Sequence, residues 1–148
     1  MSNRHSTASF LRVAFVVLKK EHPPVYGRLV AELDQATTNF RVGDERFRIV
    51  VVMRDVKIIS GRWSMSAKAE GQIGVRDLFR LIDGTSTVSS LVNSERLKIR
   101  GDSETLLRLD LVIRLFLEAS LKSTTLQNHF EDYRRWASAL PEGVLGHP

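Results

Sequence analysis

The sequence predicts an α+β domain in which helices cover a sheet, and three observations carry that expectation. Apolar residues recur at helical spacing up to residue 33, alternate in short runs between residues 40 and 67, and return to helical spacing after residue 75. Gly43-Asp44, Arg54-Asp55 and Gly61-Arg62 join the alternating runs, and connections this short suit antiparallel neighbours. The chain has 148 residues, 43% hydrophobic and 26% charged, which fits one domain with a sizeable core rather than a disordered segment.

Phe10, Leu11, Ala14, Val17 and Leu18 give a helix over 9–20. Pro23-Pro24 ends it and opens a second helix over 24–35, with Tyr26, Leu29, Val30 and Leu33 as its stripe. Phe40-Arg41-Val42 reads as a short strand. Phe47, Ile49, Val51 and Met53 alternate with Arg48, Val50, Val52 and Arg54 in the next, which is apolar on one face and in the middle of the other. Val56–Ser60 is a further strand, and Trp63, Met65 and Ala67 alternate in another. Together these runs predict an antiparallel meander.

Val75, Leu78, Phe79 and Ile82 return to helical spacing until Asp83-Gly84. Val88, Leu91 and Val92 make a short helical turn, and Arg96–Arg100 alternate as a strand. Asp102 is placed to cap a helix running from Ser103 to about Ala119, with Glu104 in its first turn. On that helix Leu106, Leu109, Ile113, Phe116 and Leu117 fall within an arc of about 100°. Leu107, Leu111 and Leu115 form a second row among charged residues, so two sides need cover. A last helix over 124–140, with stripe Leu126, Phe130, Tyr133, Ala137 and Leu140, is expected to cover that second row. The domain is expected to span 1–141, with 142–148 a loose tail.

Lysine and arginine number 22 against 17 aspartates and glutamates, a net charge of +5. The excess is dispersed, with no run of five basic residues and no accompanying aromatic motif, so nucleic acid is not an expected partner. Transient contact with an anionic membrane surface is the electrostatic alternative to plain solvation. The apolar stretch 8–18 rises only ~16 Å as a helix, about half a bilayer core, and no cleavage pattern follows it. The expected location is cytoplasmic.

Residues for catalysis are not grouped. With no cysteine there is no thiolate nucleophile or cysteine-ligated metal. His5, His22, His129 and His147 are not spaced as a metal-binding pair. His129 with Glu131 or Asp132 reads as a polar helix face rather than a ligand cluster. Gly71-Gln72-Ile73-Gly74 lacks the third glycine and the βαβ setting of a dinucleotide loop, and there is no nucleophile elbow or Walker pattern. The expectation is a non-enzyme with no metal and no cofactor. What stands out is apolar surface: a helix with two oily sides and a strand apolar on both faces. Either an ordinary core or a cavity would use it.

The stretch Leu91-Val92-Asn93-Ser94-Glu95-Arg96-Leu97-Lys98-Ile99-Arg100-Gly101-Asp102, a short helix leading into an alternating strand and a Gly-Asp helix cap, resembles the sterol carrier protein family. Val75-Arg76-Asp77-Leu78-Phe79 resembles that family's helix after the fourth strand, and the likeness spans about residues 38–118. Arg46–Val56, a strand ending in Arg-Asp plus an apolar residue, is similar to the branch of bacterial ubiquinone-biosynthesis accessory factors. The segment between Asp55 and Val75 is shorter than the family's. The resemblance implies a five-stranded, mainly antiparallel sheet with helices on one face, enclosing a tunnel for an acyl chain, sterol or isoprenoid quinone precursor. It implies lipid binding and presentation without catalysis, with helix 9–20 or 124–140 as the lid and biosynthetic enzymes as recipients. Phe79, Ile82, Leu91, Leu106, Leu109, Ile113 and Phe116 are the expected lining, with Trp63 either at the mouth or in the sheet core. The rival expectation is a dimeric interaction module with a filled core, joined through the second leucine row.

Overall fold

The structure, a computed structural model, describes residues 6–34 and 37–140. The expected tail, His5 and His147 lie outside them, as does the last residue of the expected second helix. Two helices come first, α1 (Thr7–Glu21) and α2 (Pro23–Leu33), followed by strands β1 (Thr38–Val42), β2 (Glu45–Val52), β3 (Asp55–Ser60) and β4 (Ala69–Ile73). Helices α3 (Val75–Asp83) and α4 (Val88–Asn93), strand β5 (Leu97–Gly101) and helices α5 (Ser103–Leu121) and α6 (Thr124–Ser138) complete the order.

The five strands lie in the order β3-β2-β1-β4-β5. β1–β2, β2–β3 and β4–β5 pair antiparallel, while β1 and β4 run parallel. The meander is therefore three strands, not four. The alternation at Trp63, Met65 and Ala67 makes no strand, because residues 61–68 are a loop, joined to neighbouring backbone at its ends (Gly61 N–H to the Arg46 carbonyl, 2.9 Å; Lys68 N–H to the Thr37 carbonyl, 3.1 Å) and by side chains between. Asn39 Nδ2 donates to the Ser64 carbonyl (2.8 Å), the Ser64 N–H donates to Asn39 Oδ1 (3.1 Å), and Trp63 Nε1 donates to the Phe40 carbonyl (2.8 Å). The fourth strand is Ala69-Glu70-Gly71-Gln72-Ile73, whose glycine and short apolar content hide it from propensity.

Register sorts the residues by face. Phe40, Phe47 and Gly71 align on one face with Thr38, Ile49 and Ala69 and with Val42 and Ile73. Ile58 and Leu97 join them, and the helices pack on this side. The opposite face carries Arg41, Arg46, Arg48, Lys57, Lys98 and Arg100.

Side chains tie the helices to the sheet. Glu45, the first residue of β2, accepts the N–H groups of Thr7 (2.6 Å) and Ala8 (2.8 Å), satisfying free donors at the start of α1. Arg12 on α1 donates to the Ile58 carbonyl and Ser60 Oγ of β3 (2.9 Å each). Asp55 Oδ1 takes Lys19 Nζ from α1 at 2.7 Å and the Tyr26 hydroxyl from α2 at 3.2 Å, and Tyr26 accepts the Val56 N–H at 3.0 Å. α5 packs more extensively against α2 than against α6. Its second leucine row is covered only in part: Leu115 is buried, Leu111 half-buried, and Leu107 is 71% exposed. The Asp102 cap is found as expected, its carboxylate accepting the Thr105 N–H at 2.8 Å.

The Lys19 hydrogen bond, more than any other contact, holds the Asp55 carboxyl below its ordinary value of 3.8. A depressed carboxyl contributes stability that is present above the unfolded pKa of ~3.9 and is lost as pH falls through the folded value. Asp55→Asn is expected to lower the urea midpoint at pH 7 and to flatten the fall in stability below about pH 4. Urea titrations from pH 2 to 7 check both effects.

Candidate functional site: an apolar cavity between sheet and helices

Between the sheet's apolar face and the helices lies a cavity of about 140 Å³ with no polar surface in its lining. β1 supplies Phe40 and Val42, β2 Phe47 and Ile49, and β4 Gly71 and Ile73 as its floor. α1, α3, α5 and α6 supply the walls and roof, chiefly through Phe10, Phe15, Ile82, Ile113, Phe116 and Tyr133. An apolar cavity of ~150 Å³ stays dry and accepts a benzene-sized guest.

Two further chambers adjoin it. One of about 270 Å³ shares Leu33, Leu109 and Val112 with the cavity and is otherwise polar, lined by Glu32, Thr38, Lys68, Asp102, Glu104, Thr105 and Arg108. The other, about 230 Å³, shares Thr7 and Val42 and reaches Glu45 and Trp136. Thr38 lines the first chamber and Val42 the second, and as the two ends of β1 they place the chambers on either side of the cavity, ~13 Å apart along that strand.

Of the residues expected to line a pocket, Ile82, Leu109, Ile113 and Phe116 meet at the cavity. Phe79 and Leu91 are buried elsewhere. Phe79 packs on Tyr133, with ring centroids 5.1 Å apart, and lies beneath the Arg134 guanidinium at 4.6 Å. Leu106 is close to Gly101, where a Cβ would meet its Cδ2 at 3.5 Å. Trp63 is outside the cavity. It sits with Arg46 over its ring at 5.6 Å, on the side of the sheet away from the helices.

Sequence reasoning missed the sheet floor and Gly71. Gly71 leaves room for the Phe40 ring: a Cβ there would lie 3.0 Å from Phe40 Cε1, close enough that the ring would have to shift. Only long-range register reveals that Phe40 lies across from it.

The α1–α6 seam closes the roof. Phe10 packs against His129, Tyr133 and Trp136 with centroids 5.1, 4.8 and 5.8 Å apart. His129 Nε2 donates to the Phe10 carbonyl at 2.7 Å, so this histidine belongs to the seam. Ser123, the cap of α6, donates to Glu21 at the end of α1 (2.7 Å). Thr7 Oγ1 and the Tyr133 hydroxyl share a buried hydrogen bond of 2.7 Å, and burial pushes the Tyr133 phenol well above its ordinary value of 10.0. Among the described residues, no group of three or more histidines, aspartates or glutamates is placed to hold a metal. No helix there is long and apolar enough to cross a membrane.

No known family profile and no curated protein sequence matches the chain. Solved structures do. A ubiquinone-synthesis protein, UbiJ-SCP2, superposes with a TM-score of 0.59 at 16% identity, covering 78% of this chain and 95% of its own. The second sterol carrier protein domain of Helicoverpa armigera gives 0.60 at 12% identity over 80% of this chain and 94% of its own. Sterol carrier protein 2 of Yarrowia lipolytica, in its apo form, gives 0.55 at 12% identity, over 79% and 96%. The chain has the sterol-carrier-protein fold, with its five-stranded, mostly antiparallel sheet.

Two outcomes are expected at this site. Tyr133→Phe leaves Thr7 Oγ1 buried without its partner and should cost about 1–3 kcal/mol, while Thr7→Val/Tyr133→Phe should cost less than the two single changes combined. Gly71→Ala should push the Phe40 ring into the cavity and fall at the low end of the ~1–3 kcal/mol range for overpacking, because the ring has space to yield. Urea denaturation of all four variants measures both.

Proposed function

From the sterol-carrier fold and its cavity, we propose that the protein binds a hydrophobic lipid and presents it without chemical change. The ligand class is an acyl chain, sterol or isoprenoid quinone precursor. The observation that carries this reading is the cavity: a lining with no polar surface beside a chamber walled by charged residues, which suits an oily chain with a polar end. Each CH₂ moved from water into such a lining contributes roughly 0.8 kcal/mol, so chain length supplies affinity without specific polar contacts. The structural likeness to a ubiquinone-synthesis protein supports an accessory role in making a lipid quinone; on this reading biosynthetic enzymes are the recipients and the cytoplasm is the location.

A cavity of about 140 Å³ takes only part of a long chain, so uptake requires the roof to move. α1 and α6 are clasped through Phe10, His129 and Ser123, and on this reading they lift together as the lid. Ile82, Leu109, Ile113 and Phe116 are the proposed lipid-contacting residues.

Native mass spectrometry of purified protein, with and without a fluorescent fatty acid or isoprenoid, tests the reading. The expected result is saturable one-to-one uptake, lost or at least tenfold weaker in Ile113→Trp, which fills the cavity while the circular dichroism spectrum stays unchanged. A protein that carries no lipid and takes up neither probe would end the proposal. The dimeric-module reading has one observation on its side, exposed Leu107 beside half-buried Leu111. It predicts that Leu111→Glu converts a sedimenting dimer to a folded monomer.

A further inference from the structure

We propose that the sheet face opposite the helices docks on an anionic lipid surface. Alternation along the strands sends Arg41, Arg46, Arg48, Lys57, Lys98 and Arg100 to this one face. The carboxylates that reach it are few. Glu70 meets Arg100 at 3.5 Å and Asp44 meets Arg41 at 3.7 Å, while Asp55 turns to Lys19 and Tyr26 on the helix side. Lys98, Gln72, Arg41 and Arg46 stand in one row across four strands. Arg41 lies directly opposite Arg46, a like-charge pairing that destabilises a sheet, and an anionic partner would relieve it.

Apolar tips in the same region select lipid over other polyanions. Val52 is 47% and Ile59 39% exposed on the face, and Met53 at the β2–β3 turn is 92% exposed. Met53 and Arg54 both hold positive φ (53° and 66°), the two-residue hairpin geometry that asparagine and glycine adopt without strain. A methionine kept there at a conformational cost puts hydrocarbon at the tip of a basic hairpin. Met65, fully exposed, does the same in the 61–68 loop. Nucleic acid would instead need free aromatic faces. Trp63, the aromatic ring on this side, is held by the Phe40 carbonyl and capped by Arg46. The charge pattern stands independently of what the cavity holds.

Co-sedimentation with vesicles of phosphatidylglycerol and phosphatidylcholine (1:1), against pure phosphatidylcholine, tests the assignment. Binding is expected on the anionic vesicles only and should fall steeply between 50 and 300 mM salt. Lys57→Gln/Lys98→Gln should weaken it about 30-fold. Lys20→Gln/Arg28→Gln, the same charge change on α1 and α2, should weaken it less than about threefold. Met53→Asp should weaken it without altering the fold seen by circular dichroism. Equal losses from the two double variants, equal binding to neutral vesicles, or tighter retention on duplex DNA than on anionic vesicles at the same salt would each overturn the proposal.

Discussion

The structure depends on the two-sidedness of one twisted sheet. Because successive side chains on a strand point to opposite faces, the register that puts Phe47 against Phe40 and Gly71 also puts Arg46 against Arg41. A slip of one residue would bury arginines and expose phenylalanines. The oily face recruits the helices, the basic face stays open, and both proposed activities follow from this single segregation.

Long-range contacts fix how the helices sit. α1 is anchored at its start by Glu45, along its length by Arg12 on β3, and near its end by Lys19 on Asp55. α2 shares that last anchor through Tyr26. These contacts hold the outer side of the roof to the β2–β3 hairpin. The α1–α6 seam is made differently, from ring packing, one histidine hydrogen bond, the Ser123–Glu21 contact and the buried Thr7–Tyr133 hydrogen bond, so these two helices hold to each other as well as to the sheet.

The cavity exists because side chains are withheld as much as because they are supplied. Gly71 gives the floor no side chain beneath Phe40. The roof residues come from helices far apart in sequence, so none can close the gap without disturbing another element. The chamber at the Thr38 end and the one at the Val42 end give the cavity two different neighbours, one with charged residues of both signs and one reaching Asp44, Glu45 and Trp136.

Local periodicity determined most of the elements. All six helices, four of the five strands and the Asp102 cap were legible in the sequence, because amphipathic spacing and capping chemistry act within a few residues. Four of the expected lining residues, Ile82, Leu109, Ile113 and Phe116, face the cavity for the same reason, since each lies on its helix's apolar stripe. Tertiary structure alone decided the rest. β4 gains its strand from parallel pairing with β1, although Glu70-Gly71-Gln72 has little strand preference of its own. Trp63 alternates like a strand residue, yet the already paired sheet and the Asn39 side chain hold its segment as a loop on the far face. Which helix covers α5, which glycine opens the floor and which cations share a face are set by pairings between distant residues, and spacing within one element carries no record of them.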